Sequence, residues 1–309
     1  MTESNPGAVV KQFILPAHWR RETALGSTGR SSMRSAWAGT GLLWLFVVGM
    51  ASANVEEAPV GGLIEQALRS DHREPANVAR DRFRHPREVL EFFGLRHDMR
   101  VAEIWPSTGW WTEILAPVLR EHGEYTAVGF CIDAPNTPAY RTRITAGFTA
   151  KLAANPSQYD RVRHSDLGIG HCDEIATPNS LDLVLTFRNA HNWLKSGDAA
   201  AVFEAAFRAM KPGGVLGLVD HRAPEGQTEA AQDQSGYVTE SRVIAAAEAA
   251  GFKLDAKSEV NANPRDTADH PKGVWTLPPS LRLGEQDRLH YLAVGESDRM
   301  TLRFVKPPH

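Results

Sequence analysis

Cysteine is scarce in this 309-residue chain: Cys131 and Cys172 are the only two. Two thiols exclude a disulfide-built scaffold and a four-cysteine zinc site. A basic surplus is missing as well. The 34 Lys and Arg face 37 Asp and Glu, a net charge of -3, so the electrostatic footprint of a general nucleic-acid binder is absent and no nucleic acid is expected as a partner. Long apolar runs are also lacking. The strongest, residues 42–48, falls well short of the roughly 20 residues of a membrane-spanning helix. What remains is ordinary for a folded enzyme or binding domain: 42% hydrophobic and 23% charged residues. Collagen-like, disordered and multi-span membrane chains are excluded.

The N-terminal segment reads as an address. Arg30 and Arg34 precede the apolar stretch, and Ala51-Ser52-Ala53 follows it. A positive flank, a short apolar core and a small-residue exit describe a secretory signal peptide. Met33 is then the natural start, residues 1–32 an overlong extension, residues 33–53 the signal, and Asn54 the first mature residue. The protein would be periplasmic or secreted. The alternative is an uncleaved membrane anchor over residues 36–53, with the membrane a partner through this segment alone.

Residues 54–98 read as a helical lead-in. Leu63, Ile64, Ala67 and Leu68 have helical spacing, and His85-Pro86 opens a second helix that Gly94 stops. From residue 99 onward strands alternate with helices. Strands are expected at 100–104, 125–130, 161–164, 181–187, 215–219, 253–260 and 301–305, and helices over 111–119, 138–153, 198–210 and 240–250. The alternation predicts a mainly parallel sheet covered on both faces. Residues 261–300 break the rhythm. Rich in Pro, Asp and Gly and long for a bare connection, they are expected to form a lid or substrate-pocket segment.

In such a sheet, ligands bind beyond the carboxyl ends of the strands. The first strand is followed by Glu103-Ile104-Trp105-Pro106-Ser107-Thr108-Gly109, the layout of a nucleotide-type loop. Only Gly109 of the expected glycines is present; Trp105 and Ser107 fill the other slots. The fourth strand leads to Arg188-Asn189-Ala190-His191-Asn192-Trp193. A helix cap would explain one asparagine, but cation, amides, imidazole and indole together point to ligand contact. The fifth is followed by Asp220-His221-Arg222, and His164, Asp166 and His171 stand near the end of the third. His191 or His221 could act as a general base. Alternatively His164, His171, His191 and His221, with Asp166 and Asp220, could ligate zinc, iron or nickel, although they lack a metal-motif spacing.

Six segments together resemble a class I S-adenosylmethionine-dependent methyltransferase, and more narrowly a bacterial family of predicted methyltransferases with an N-terminal signal. These are the 103–111 loop preceded by Arg82-Phe83-Arg84-His85-Pro86, the 186–193 stretch, Met210-Lys211-Pro212-Gly213-Gly214-Val215-Leu216, the 273–279 run, and Gly295-Glu296-Ser297-Asp298-Arg299-Met300. The resemblance covers roughly residues 61–307. It implies an α/β, three-layer Rossmann-like methyltransferase fold over residues 99–309, a mostly parallel seven-stranded sheet with an antiparallel last strand.

With the residue reading, it implies S-adenosylmethionine as cofactor, contacted by Glu103, Trp105, Ser107, Gly109, Asp133, Asp166, Arg188 and Asn189. His191 and His221 are the catalytic candidates, and no metal is assigned. Trp193, Asp220 and Trp275 would meet an unidentified small-molecule or peptide substrate. The slot of the usual ribose-binding acid holds Cys131, with Asp133 as its substitute two residues on. The family's strand order makes Cys131 and Cys172 neighbours. Two free, inert thiols are expected there, a bridge being what an oxidising compartment would permit. The other functional reading is an exported Rossmann-like protein with a degenerate cofactor loop, either metal-binding or a non-catalytic binding domain.

Overall fold

The computed structural model describes residues 60–308. The extension over 1–32 and the signal or anchor over 33–53 lie outside the described residues. Among the described residues no helix is long and apolar enough to cross a membrane. The lead-in forms four short helices, α1 (Val60–Leu68), α2 (Pro75–Val78), α3 (Asp81–Arg84) and α4 (Pro86–Phe92). Pro86 takes the first position of α4, where its missing N–H leaves no bond unmade, and the chain turns ahead of it on His85 at φ 43°.

Seven strands follow: β1 (Arg100–Ile104), β2 (Glu124–Phe130), β3 (Arg163–Leu167), β4 (Leu181–Phe187), β5 (Met210–His221), β6 (Lys253–Ser258) and β7 (Arg299–Val305). They form one sheet in the order β3-β2-β1-β4-β5-β7-β6. β7 runs antiparallel to β5 and β6, and the remaining pairs are parallel. This is the seven-stranded Rossmann-like methyltransferase fold. Between the strands lie α5 (Thr112–Leu119), α6 (Ala139–Ala154), α7 (Pro156–Tyr159), α8 (Ala190–Ser196), α9 (Ala199–Ala209), α10 (Glu229–Ser235), α11 (Glu240–Ala249) and α12 (Arg288–Val294).

Parallel strands covered on both faces carry apolar side chains in both directions. One face sets Ile104, Val128, Val184 and Leu216 against Trp193, Val202 and Phe203 of α8 and α9. The other sets Val101, Leu183 and Leu185 against Ile64, Leu90, Ile114 and Leu115 of α1, α4 and α5. Three layers result, and the lead-in is part of the outer one.

Several boundaries differ from the sequence expectation. β3 starts at Arg163 because the turn α7 takes the Val162 N–H onto the Tyr159 carbonyl at 3.0 Å. Asp166 therefore lies inside the strand, opposite Gly129, and not beyond its end. β5 is longer than 215–219: Met210 already pairs with Leu181 across a register shift, and pairing continues to His221. Asp220 and His221 are thus strand residues. The stretch from Ala190 is helix α8, ended by Gly197 at φ 81°, and not a loop.

Cys131 and Cys172 form a disulfide with Cα atoms 6.0 Å apart, which corrects the expectation of free thiols. The sulfurs meet because the 168–172 turn closes tightly. Gly168 and Cys172 exchange backbone N–H···O bonds of 3.0 and 2.8 Å. A Cβ at Gly168 would stand 2.4 Å from that of Cys131, so only glycine permits this approach.

Candidate functional site

The strand order reverses between β1 and β4, and the segments leaving these two strands part to open a crevice. A cavity of about 280 Å³ lies there, walled among others by Glu103, Trp105, Trp110, Phe187 and Arg188. A second cavity of about 150 Å³, walled by His191, His221, Trp275 and Ser297, shares Arg188, Asn192 and Pro279 with the first. A larger hollow of about 380 Å³ around Arg120, His122 and Arg161 sits at the amino ends of β2 and β3, where this fold places no ligand.

The loop leaving β1 keeps the backbone of a glycine-rich turn without most of its glycines. Trp105, Ser107 and Gly109 have φ of 53°, 56° and 80°. Left-handed backbone costs a non-glycine residue roughly 1–2 kcal/mol, so the loop shape is held against its sequence. The Trp105 N–H donates to the Val128 carbonyl at 2.8 Å, and the Gly109 N–H to that of Pro106 at 2.9 Å. The Trp105 indole fills the corner above β2 and β3. Its ring lies 4.8 Å from Phe130 and 5.8 Å from Trp193, and its Nε1 reaches the Leu167 carbonyl at 3.4 Å. Only 8% of the residue is exposed.

Glu103, the one acidic residue of β1, is buried beneath this loop. Tyr125 donates its hydroxyl to Oε2 at 2.6 Å. Burial pushes the carboxyl up to about 7, although the Tyr125 bond and the Arg84 charge pull the other way.

Beyond β4, Arg188 adopts φ 64° while its backbone N–H donates to the Val219 carbonyl at 2.7 Å. Asn189 spends its amide on the frame: Nδ2 donates to the Ile104 carbonyl at 2.9 Å and to Thr186 Oγ1 at 3.1 Å, tying the two strand exits together. His191, in the first turn of α8, meets Asp220 of β5. Its backbone N–H donates to Oδ2 at 2.9 Å, and its ring Nδ1 lies 2.9 Å from Oδ1. A neutral imidazole so held carries its proton on Nδ1 and offers Nε2 as an acceptor. The His221 ring lies 5.3 Å away, with Nδ1 at 2.6 Å from Ser297 Oγ. Burial, then Arg188, His191 and Arg299, hold His221 well below the usual imidazole range. His191, Asp220 and His221 offer three ligand atoms within 4.8 Å of one another, which a metal ion could bridge. The guanidinium groups beside them oppose a cation as they oppose imidazolium. His164, on β3 against Phe148, and His171, in the 168–172 turn, do not join this group.

Of the residues singled out by sequence, Glu103, Trp105, Ser107, Arg188 and Asn189 wall the larger cavity. His191, His221 and Trp275 wall the smaller. Asp220 lies behind the two histidines with no exposure. Gly109 stands under Phe148 and supports the loop from outside the cavities; a Cβ there would approach the ring to 2.9 Å. Trp193 is core, 1% exposed against Trp105 and Phe203, and walls neither cavity. Asp133 and Asp166 are exposed and wall neither cavity, because β2 ends in the disulfide and β3 extends past Asp166. Four charged residues at the cavities were not assigned to the site from the sequence: Arg80 and Arg84 from the lead-in, and Glu296 and Arg299 before and within β7. Their signals were the i,i+4 arginine spacing ahead of His85-Pro86 and the 295–300 run.

No protein-family model matches the chain, and no curated protein matches it. Solved structures do resemble it. The [4+2]-cyclase SpnF aligns over 81% of this chain and 93% of its own, with 15% identity and a TM-score of 0.50. A SAM-dependent methyltransferase from Aquifex aeolicus aligns over 80% and 98%, with 15% identity and a TM-score of 0.49. The phosphoethanolamine N-methyltransferase 2 of Haemonchus contortus, in complex with S-adenosyl-L-methionine, aligns over 73% and 53%, with 18% identity and a TM-score of 0.49. The first of these likenesses shows the fold and leaves the reaction to the site.

The cofactor expected from the sequence is S-adenosylmethionine. The loop backbone fits it, being left-handed at all three glycine slots, with Glu103 beneath. The other part of the crevice is lined by Phe130, Tyr140, Ile144 and Trp105, and among the described residues no carboxylate lines that part to take a ribose diol. The residues present fit the group through rings and backbone, without the usual acidic clamp.

Proposed function

We propose that the chain is an S-adenosylmethionine-dependent methyltransferase acting on a small-molecule or peptide substrate. The observation that carries this reading is the left-handed loop at the strand-order reversal, opening onto a crevice beside an Asp220-held histidine. The 105–109 backbone and Glu103 would hold the amino-acid end of the cofactor, and the rings of Phe130, Tyr140 and Trp105 its base. When bound, its sulfonium supplies an electrophilic methyl group. His191 takes the proton from the acceptor atom at Nε2, and Asp220 stabilises the imidazolium that forms. The Trp275 segment, which walls the smaller cavity, would limit water there. Methyl transfer is an in-line displacement, so holding the acceptor aligned is the larger part of the task.

We also infer export, by the 33–53 signal or with the 36–53 segment kept as an anchor. The Cys131–Cys172 bridge supports it, since disulfides persist in oxidising compartments.

A second reading has its own support. The buried Trp105 indole stands where a nucleoside would enter, and this favours a fold retained for binding a different small molecule. Calorimetric titration of the purified chain with S-adenosylhomocysteine, with metal content assayed in the same sample, separates the two. Saturable one-to-one binding supports the methyltransferase. No heat up to millimolar ligand supports the second reading.

A further inference from the structure

The crevice holds more positive charge than its walls neutralise. Arg80, Arg84, Arg188 and Arg299 all line the larger cavity. One carboxylate, Glu296, serves three of them: Arg80 Nε at 2.5 Å, Arg299 Nη2 at 2.9 Å, and Arg84 Nε at 3.7 Å, which is too long for a hydrogen bond. The other acids nearby are committed. Asp220 accepts from His191 and His221, and Glu103 accepts from Tyr125 with its own charge suppressed by burial. Arg188 has no side-chain hydrogen bond and no ion pair among the described residues. Its Nε, Arg84 Nε and Arg80 Nη2 are sealed from solvent without an acceptor.

Buried guanidinium donors without acceptors are costly, and native structures rarely keep several in one place. Mutual repulsion is visible as well. Burial and then Arg188 lower Arg84 well below the usual guanidinium range, and Arg188 is brought down to about 10 by burial and by Arg80 and Arg299, against the pull of Glu296.

We propose that Arg84 and Arg188, backed by Arg80 and Arg299, form a binding site for an oxyanion, the carboxylate or phosphate group of the substrate. Guanidinium forks match both groups through paired N–H···O bonds. The site takes the acceptor molecule by its charged end and sets the rest of it toward His191, across the shared Arg188 wall. It rests on the crevice being a ligand site, and not on which methyl donor it takes.

The test uses inorganic phosphate, methyl phosphate and malonate on the purified chain, each against sodium chloride at equal ionic strength, read by thermal shift and calorimetry. At least one oxyanion should raise Tm saturably and bind one to one. Phosphate with methyl phosphate, or malonate, identifies which group is taken. Arg188→Gln should weaken that binding by about tenfold or more while leaving Tm in chloride unchanged or raised, because it removes a charge without a partner. A purely structural arginine would lower Tm when replaced. Failure of every oxyanion to exceed chloride, or an undiminished response in Arg188→Gln, overturns the proposal. S-adenosylhomocysteine titrated in parallel keeps the readings apart: its binding without any oxyanion effect sinks this site alone, and the reverse sinks the donor alone.

Discussion

Asp220 grips His191 twice, through the backbone N–H at 2.9 Å and the ring Nδ1 at 2.9 Å. The same carboxylate accepts the His221 N–H at 2.7 Å. Three donors therefore converge on two oxygens with no exposure to solvent.

Asp220→Asn keeps the volume but leaves one acceptor oxygen for those three donors. Orphaning a buried donor costs about 1–3 kcal/mol, and each kcal/mol moves the midpoint of a chain this size by about 2–4 °C. Calorimetry should show a fall of several degrees. Methyl transfer, assayed on the same variant, should fall by about 10²–10⁴-fold as His191 loses its fixed tautomer. An unchanged midpoint would remove Asp220 from this role.

Glu103 gives a pH dependence of definite sign. Its carboxyl is raised by burial to about 7, while an unfolded chain releases that proton near 4.5. Between those values the folded state binds more protons, so stability falls as pH rises through this window and is level above it. The loss is about 3 kcal/mol, at 1.4 kcal/mol per unit. Glu103→Gln, still able to accept from Tyr125, should lack the slope. The wild-type advantage over the variant should shrink from pH 4.5 to 7 in paired melting curves. Glu296 titrates in another window. Burial works to raise it, but Arg299, Arg84 and Arg80 outweigh that and hold it at about 2, so its contribution is lost only as pH falls below 4.5.

Much of the framework was legible because parallel strands buried on both faces read as apolar runs; β1 and β4 begin and end where the sequence puts them. β3 was misplaced because its sequence, Arg163-His164-Ser165-Asp166-Leu167, is polar at an exposed edge and carries no such run. The site was half legible. His191 and Arg188 announced themselves after a strand, but whether an indole such as Trp193 lines a cavity or fills a core depends on packing that no local pattern encodes. Arg84 and Glu296 stand 212 positions apart in the chain (296 minus 84), and only the tertiary fold, which sets the chain ahead of β7 beside α3, brings them within 3.7 Å.

The disulfide and the leader make one joint prediction. Protein recovered from an exporting host should begin at Asn54 and weigh about 2 Da less than its reduced form. A cross-link spanning 41 positions contributes about 4 kcal/mol in the chain-entropy account, so reduction or Cys131→Ser should lower the midpoint by roughly 10 °C. Intact mass and N-terminal sequencing check both. Two alkylatable thiols in exported protein would contradict the bridge.

Trp105 decides between the two functional readings. Removing a buried indole costs about 3–5 kcal/mol, and glycine at φ 53° returns roughly 1–2 of that by relieving left-handed backbone. Trp105→Gly should therefore fold with a lower midpoint and leave an opening between Phe130, the Leu167 carbonyl and Trp193, the groups the indole now touches. If the indole is a movable wall of a nucleoside site, S-adenosylhomocysteine should bind the variant about tenfold more tightly than the wild type, and Trp105→Phe should fall between them. If the corner is simply core, the variant should lose stability and gain no affinity. Calorimetry on the three proteins reads midpoint and dissociation constant together. Absence of binding in all three would assign the crevice to a ligand other than the nucleoside, with the oxyanion site still to be read on its own.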